Sequence, residues 1–366
     1  MTLAFVVNSG SSSIKWELLD AASGSREAGG IVERIGEGGV DHAAAMRSIL
    51  DELGDVHPDV IGHRVVHGGA LFAAATLVDD AVLESIEELS ALAPLHNPAN
   101  VAGIRAAREA FPGVPNVAVF DTAFHANMPP AAYTYAIDST VAADHGVRRY
   151  GFHGTSYQYV SARAADVLGR PLDDLRLIVL HLGNGASVCA IKGGVSIDTS
   201  MGLTPLEGLV MGSRSGDVDA GILFHLGRAG FTLPELDTLL NRRSGMLGLA
   251  GHTDMRDVLA GVTAGDASSQ LAFVVYVHRL RHYIGAYLAE LGGADAIVFT
   301  AGVGENAAPV RAAALAGFEW AGIHLSEERN ATRGTTVIST DVSPVAALVI
   351  PTNEELEIAR QAAALL

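Results

Sequence analysis

Near the start of the chain the apolar residues 3–7 (LAFVV) give way to a polar run, NSGSSS, and then to residues 14–19 (IKWELL). In the second apolar segment Ile14, Trp16 and Leu18 alternate with Lys15 and Glu17, a period of two that predicts a strand, so the unit reads as two strands joined by a Gly/Ser turn. The same order returns later: LIVLHL (177–182), Gly183-Asn184-Gly185, ASVCAI (186–191), Lys192-Gly193-Gly194 and a further strand at 195–198. Two such units predict an internal duplication with one domain per copy. Helical periodicity covers 99–111, 156–168 and 268–291; in the last, Leu271, Val274, Val277, Leu280, Ile284, Tyr287 and Leu291 recur at spacings of three and four and predict one stripe facing the core or a second copy. Residues 294–306 (ADAIVFTAGVGEN) read as a buried strand at 297–300, a Gly-rich turn, and a helix from near Glu305. Strands mixed with helices all along the chain define an α/β protein, whose long irregular stretches are 183–219 and 244–257.

Composition narrows the function classes. The 366 residues are 49% hydrophobic, enough for two folded domains, and the formal charge of −17 argues against sequence-independent binding of nucleic acid or anionic membranes. Cys189 is the single cysteine, so neither an internal disulfide nor a multi-cysteine zinc cluster can form. With no basic leader and no apolar stretch of about 20 residues, a soluble, cytoplasmic protein is expected.

Three Gly-rich turns follow strands, at 8–13, 183–185 and 302–304, where backbone N–H groups can approach an anion without side-chain interference. Each alone is a plain turn; three in one acidic chain favour a polyphosphate, although none is a P-loop or a convincing dinucleotide fingerprint. Arg64 in HRVVHGG and Arg214 in MGSRSGD are candidate forks for a carboxylate or phosphate, with an Arg214–Asp217 surface pair as the alternative. His153, in YGFHG, reads equally as a ligand neighbour or a structural residue, and none of the 14 histidines falls in a zinc spacing. Asp121 ends the apolar run 117–120, a usual place for acidic catalytic or magnesium-binding groups, with helix capping as its rival; Glu354 and Glu355 open the final helix. A serine-hydrolase reading fails for want of a G-x-S-x-G elbow.

Together the motifs NSGSSSIKW, GHRVVHGG, LAPLHNPAN, VFDTAFHANMP, RRYGFHGTS, HLGNGASVCAIKGG with SIDTSMGLTPLEGLVMGSRSGDVD, SGMLGLAG with DMRD, VFTAGVGEN and PTNEEL span nearly the whole chain. In this order they resemble the acetate kinase family of the acetate and sugar kinase, Hsp70 and actin superfamily. The resemblance implies two lobes of a duplicated ribonuclease-H-like, actin-like ATPase fold with a nucleotide cleft between them: a first lobe at 1–150, onto which the C-terminal helix 352–366 returns, and a second at 151–351. It implies reversible transfer of the ATP γ-phosphoryl group to acetate, directly and in line, giving acetyl phosphate and ADP, with magnesium or manganese as cofactor and a homodimer as the assembly.

By the same resemblance Asn8 and Glu354 assist the metal, and Ser11, Ser13 and Lys15 lie at the phosphate end. Arg64 and Arg214 grip the carboxylate and the moving phosphoryl group, His153 and His181 donate hydrogen bonds to it, and Asp121 orients the carboxylate. His181, Leu182, Gly183, Asn184 and Gly185, with Asp254, Met255 and Arg256 and with Gly302, Val303, Gly304, Glu305 and Asn306, line the ATP site. Val66, Leu95, Phe152 and Pro205 form an apolar pocket for the methyl group. The chain departs from the family pattern in a shortened stretch between residues 36 and 62, in Tyr157 where histidine is common, and in the detail of GHTDMRD. Propionate or butyrate kinase, and a nucleotide-binding sensor without turnover, are the alternatives.

Overall fold

The computed structural model describes residues 2–10, 13–33, 35, 41–54 and 56–366, so Ser11 lies outside the described residues. The chain divides into two compact units. One comprises Met1–Ala126, Phe152–Tyr159 and Asn353–Leu366; the other comprises Asn127–Gly151 and Val160–Thr352.

The first unit holds strands β1 (Leu3–Ser9), β2 (Ser13–Asp20), β3 (Arg26–Glu33), β4 (Val60–Val65), β5 (Thr76–Leu77) and β6 (Asn116–Phe120), in the sheet order β3-β2-β1-β4-β6-β5. The alternation at the start of the chain is the antiparallel β1–β2 hairpin, with Asn8 opposite Lys15, while β1–β4 and β4–β6 are parallel. Alternate β1 residues face opposite sides: Phe5 and Val7 join Trp16, Met46, Ile49 and Phe111 in one core, while Ala4 and Val6 join Val119, Ile358 and Ala362 of the C-terminal helix Glu354–Ala363 in another.

The second unit holds β7 (Arg176–Leu182), β8 (Ala186–Lys192), β9 (Val195–Thr199), β10 (Ala296–Thr300), β11 (Thr336–Val337) and β12 (Ala346–Val349). Their order, β9-β8-β7-β10-β12-β11, repeats the first sheet strand for strand, with the same antiparallel β7–β8–β9 meander and parallel β7–β10–β12 core. The internal duplication expected from the two strand-turn-strand units is therefore a duplicated sheet. In each sheet three parallel strands end at one edge, where loops can gather ligand-binding groups.

Three local expectations are corrected. The 301–306 segment is a short helix, Ala301–Asn306, beginning directly after β10, so Gly302 and Gly304 lie inside it rather than in a turn. A helix, Gly245–Ala250, interrupts the expected irregular stretch at 244–257. On the long helix Ala267–Leu291, Val277, Leu280, Ile284, Tyr287 and Leu291 are buried, but Leu271 and Val274 are 56% and 62% exposed because the buried face there runs through Ser269, Ala272 and Tyr276. Tyr157 is fully buried, with its ring edge-on to His125. Among the described residues no helix is long and apolar enough to cross a membrane.

Beside Arg64 on β4, His63 is buried, and its Nε2–H donates to Asn116 Oδ1 at 2.7 Å. Burial outweighs this bond and pushes the imidazole pKa down to about 4, so the ring is neutral in the folded protein at neutral pH. A histidine depressed on folding contributes stability that is complete above its unfolded pKa near 6.5 and is lost as pH falls through about 4. Denaturant titrations should show on the order of 3 kcal/mol lost across that window through this group. His63→Gln should flatten the slope, and an unchanged slope would contradict the assignment.

Candidate active site

In the first unit, β4 and β6 run parallel with Arg64 opposite Val119, and Asp121 follows the last residue of β6. This register brings the two side chains together. Arg64 Nε donates to Asp121 Oδ1 at 3.0 Å and Nη2 donates to Oδ2 at 2.7 Å, a two-pronged ion pair in which the Asp121 side chain is only 2% exposed. The Glu354 carboxylate, in the first turn of the C-terminal helix, lies 4.0 Å from Arg64 Nε. Burial works against the Arg64 charge, but Asp121 and Glu354 outweigh it and raise the guanidinium pKa. Burial, with Asp121 beside it, raises the Glu354 pKa above the usual carboxylate range, although Arg64 pulls in the opposite sense. Helix capping is thus not the role of Asp121, whereas Asn353 caps the final helix through its bond from Leu356 N.

Further expected site residues belong to the same unit. Lys15, on β2, pairs with Glu355, the neighbour of Glu354. His153 holds a left-handed backbone (φ 58°), a conformation costing about 1 kcal/mol or more outside glycine, and the next residue, Gly154, donates its N–H to Asp121 O at 2.8 Å. Phe152 is buried, Val66 is half-buried and Leu95 is 43% exposed. Asn100, from the LHNPAN motif, was not anticipated as a site residue: it donates to Ser9 O at 2.8 Å and accepts from Val66 N at 3.1 Å, fixing the ends of β1 and β4 against each other.

The second unit contains a cavity of about 790 Å³. Of the residues expected around a nucleotide, Gly183, Asn184, Asp254, Met255, Arg256, Gly302, Val303 and Asn306 line it. His181, Leu182, Gly185, Gly304 and Glu305 are not among the lining residues; His181 is buried on β7 opposite Thr300 of β10, and Glu305 Oε1 accepts from Thr352 N. Met246 of SGMLGLAG and Thr253 of GHTDMRD also line the cavity, as do Tyr276 and Arg333, which fall in no motif that would have marked them. Arg256 is 90% exposed and folds onto Asp254, whose pKa its side-chain and backbone hydrogen bonds lower to about 2. Arg214 Nη1 donates to Pro205 O at 3.1 Å; it forms no ion pair among the described residues, and burial lowers its pKa. The alternative Arg214–Asp217 pair is absent, because Asp217 is taken by Tyr283 and Arg279.

A tight spot bounds the cavity. A Cβ on Gly212 would lie 2.0 Å from Asn184 Oδ1 and 3.2 Å from Thr253 O, and both neighbours are cavity residues. Gly212→Ala must displace Asn184, at about 1–3 kcal/mol; if the cavity takes the nucleotide expected from the sequence, KM for ATP should rise roughly tenfold or more with KM for acetate nearly unchanged. Steady-state kinetics check this, and equal rises in both constants would count against the cavity as the nucleotide site.

Duplicated six-stranded α/β sheets, an arginine–carboxylate cluster at parallel strand ends and a Gly-lined cavity define a phosphotransferase-like protein of the actin-like ATPase fold. The chain belongs to the acetokinase family, whose model matches residues 38–360. The acetate kinase of Leifsonia xyli subsp. xyli is 58% identical over 99% of this chain and 98% of its own length. That alignment spans 390 positions against a chain of 366 residues, so the relative carries residues absent here. The crystal structure of Porphyromonas gingivalis acetate kinase superposes with a TM-score of 0.96 at 41% identity, covering all of both chains. A propionate kinase from Francisella tularensis gives the same TM-score at 39% identity, also covering all of both chains.

Proposed function

We propose that this protein transfers the γ-phosphoryl group of ATP to acetate, reversibly, giving acetyl phosphate and ADP. The observation that carries the reading is the Arg64–Asp121–Glu354 cluster in a chain of this family. An acetate oxygen attacks the γ-phosphorus; its O–P bond forms as the bond to the β,γ-bridging oxygen breaks, and the electron pair leaves on ADP. Acetate is ionised at neutral pH, so no general base is needed and the residues have only to position the groups and balance charge.

Arg64, kept cationic by its two carboxylates, orients the acceptor, while Asp121 holds the guanidinium fork at a fixed angle. Arg214, with no carboxylate to neutralise it, meets the charge on the transferring group, and His153 and His181 add hydrogen bonds. Val66, Leu95 and Phe152 of the first unit are the apolar contacts proposed for the methyl group. Gly183, Asn184, Gly302, Val303 and Asn306 receive the nucleotide, with Asp254 to Arg256 on the adenosine side and Lys15 toward the phosphates. Magnesium, which takes few protein oxygens and prefers substrate phosphates and water, would be held by the Glu354 carboxylate, whose ionised form the cation would favour against its burial, with the Asn8 amide as its companion. Bound there, it would neutralise phosphate charge. The exposed Leu271 and Val274 suit contact with a second copy in a homodimer, and a cytoplasmic location fits these substrates.

One added methylene is worth only about 1–3 kcal/mol in an apolar pocket, and a propionate kinase shares the fold to the same TM-score, so acceptor length is the point to test. Measured kcat/KM for acetate, propionate and butyrate should fall in that order; an optimum at propionate or butyrate would replace acetate as the substrate.

A further inference from the structure

Residues 200–220 contain no helix or strand, yet they carry Pro205 and Arg214. One side chain organises the first part of this loop. Arg149 Nη1 reaches three successive carbonyls, Thr199 O at 2.8 Å, Ser200 O at 3.1 Å and Met201 O at 3.2 Å, while its Nη2 donates to Glu207 Oε1 at 2.7 Å. The other Glu207 oxygen accepts from the Tyr135 hydroxyl, whose oxygen in turn accepts from Leu203 N at 3.2 Å. The turn closes around this group so tightly that a Cβ on Gly202 would lie 1.9 Å from Glu207 Oε2 and 2.1 Å from the Tyr135 oxygen.

Both ends of the loop segment bearing Pro205 are thereby tied down. Residues 199–203 hang from Arg149 and Tyr135, and Glu207 returns the chain to the same guanidinium. Beyond it, Gly208 exchanges hydrogen bonds with Asp217 (Gly208 N to Asp217 Oδ1 at 2.8 Å, Asp217 N to Gly208 O at 2.9 Å). The Pro205 carbonyl between these anchors accepts the 3.1 Å bond that orients the Arg214 guanidinium. A half-buried arginine bonded to three backbone carbonyls and one carboxylate is a bracket for main chain, because its planar fork fixes several acceptors at once where a lysine would fix fewer.

We propose that Arg149 and Glu207 are a positioning pair for phosphoryl transfer, setting the Pro205 carbonyl and through it the direction of Arg214. The inference rests on the reading of Arg214 as the residue that meets the transferring phosphoryl group. A displacement near 1 Å of such a group costs about 100-fold in rate, so Arg149→Lys should lower kcat by about that factor while KM for ATP stays within about twofold.

The test is a double-mutant cycle in the full-length protein with Arg214→Ala, scored as kcat for acetyl phosphate formation. Acting through Arg214, Arg149→Lys should cost little further once Arg214 is gone. Equal losses in both backgrounds would overturn the proposal and leave Arg149 a general structural staple. Glu207→Gln, which keeps the shape and removes the charge, runs through the same cycle with the same two outcomes and replaces Arg149→Lys if that variant does not fold. Failure of the Arg214 reading is separately visible: Arg214→Ala alone would then retain wild-type kcat.

Discussion

Arg64→Ala should both abolish turnover and loosen the fold. The substitution removes the cation from between two carboxylates, one of them 98% buried, and leaves Asp121 without its two-pronged partner. Breaking a buried pair by deleting one member costs about 3–5 kcal/mol, because the surviving charge keeps its desolvation penalty. On the role proposed for Arg64 in orienting the acceptor, its loss should lower kcat/KM by about 1,000-fold or more. Denaturant unfolding at neutral pH, compared with Arg64→Ala/Asp121→Asn, separates the two effects. The double variant should regain much of the stability and none of the activity. If Arg64→Ala were as stable as wild type, the pair would not carry the charge balance described for it.

Arg214→Ala should behave in the opposite way on stability. Its guanidinium is half-buried, is matched by no carboxylate among the described residues, and bonds chiefly to one carbonyl. Removing it forfeits about 1 kcal/mol of hydrogen bonding while also removing a half-buried charge without a carboxylate partner among the described residues, so the melting temperature should move little. On the role proposed for Arg214 at the transferring phosphoryl group, turnover should still fall by about 1,000-fold. Equal destabilisation by the two arginine variants would contradict the distinction between a paired, orienting arginine and an unpaired, charge-receiving one.

The parts of this site that could be read from the chain are those that depend on local chemistry. The alternation of Ile14, Trp16 and Leu18 with charged residues, and the return of the same strand, Gly-rich turn and strand order around LIVLHL and ASVCAI, were enough to anticipate the two hairpins. Asp121 was legible because it ends an apolar run, and Arg64 because it stands among residues that leave a fork room. Lys15 and Glu355 were not legible as a pair, being 340 positions apart and joined only when the final helix packs on the first sheet. Likewise nothing in RRYGFHG marks Arg149 as a bracket, because three of its partners are main-chain carbonyls, which carry no side-chain signature, and the fourth, Glu207, lies 58 positions away. The 302–304 glycines misled in the other direction: low helix propensity suggested a turn, yet the chain enters a helix straight from β10. Leu271 and Val274 fit the apolar spacing of a buried stripe, but spacing alone does not say which stretch of a 25-residue helix the core covers.

The central claim is that the protein couples ATP to acetate by direct transfer. Incubating the wild-type chain with ATP, magnesium, acetate and hydroxylamine, and measuring acetylhydroxamate and ADP together, tests it directly. The account predicts acetate-dependent formation of both in equal amounts. ADP release without hydroxamate, or neither product at millimolar acetate, would contradict it.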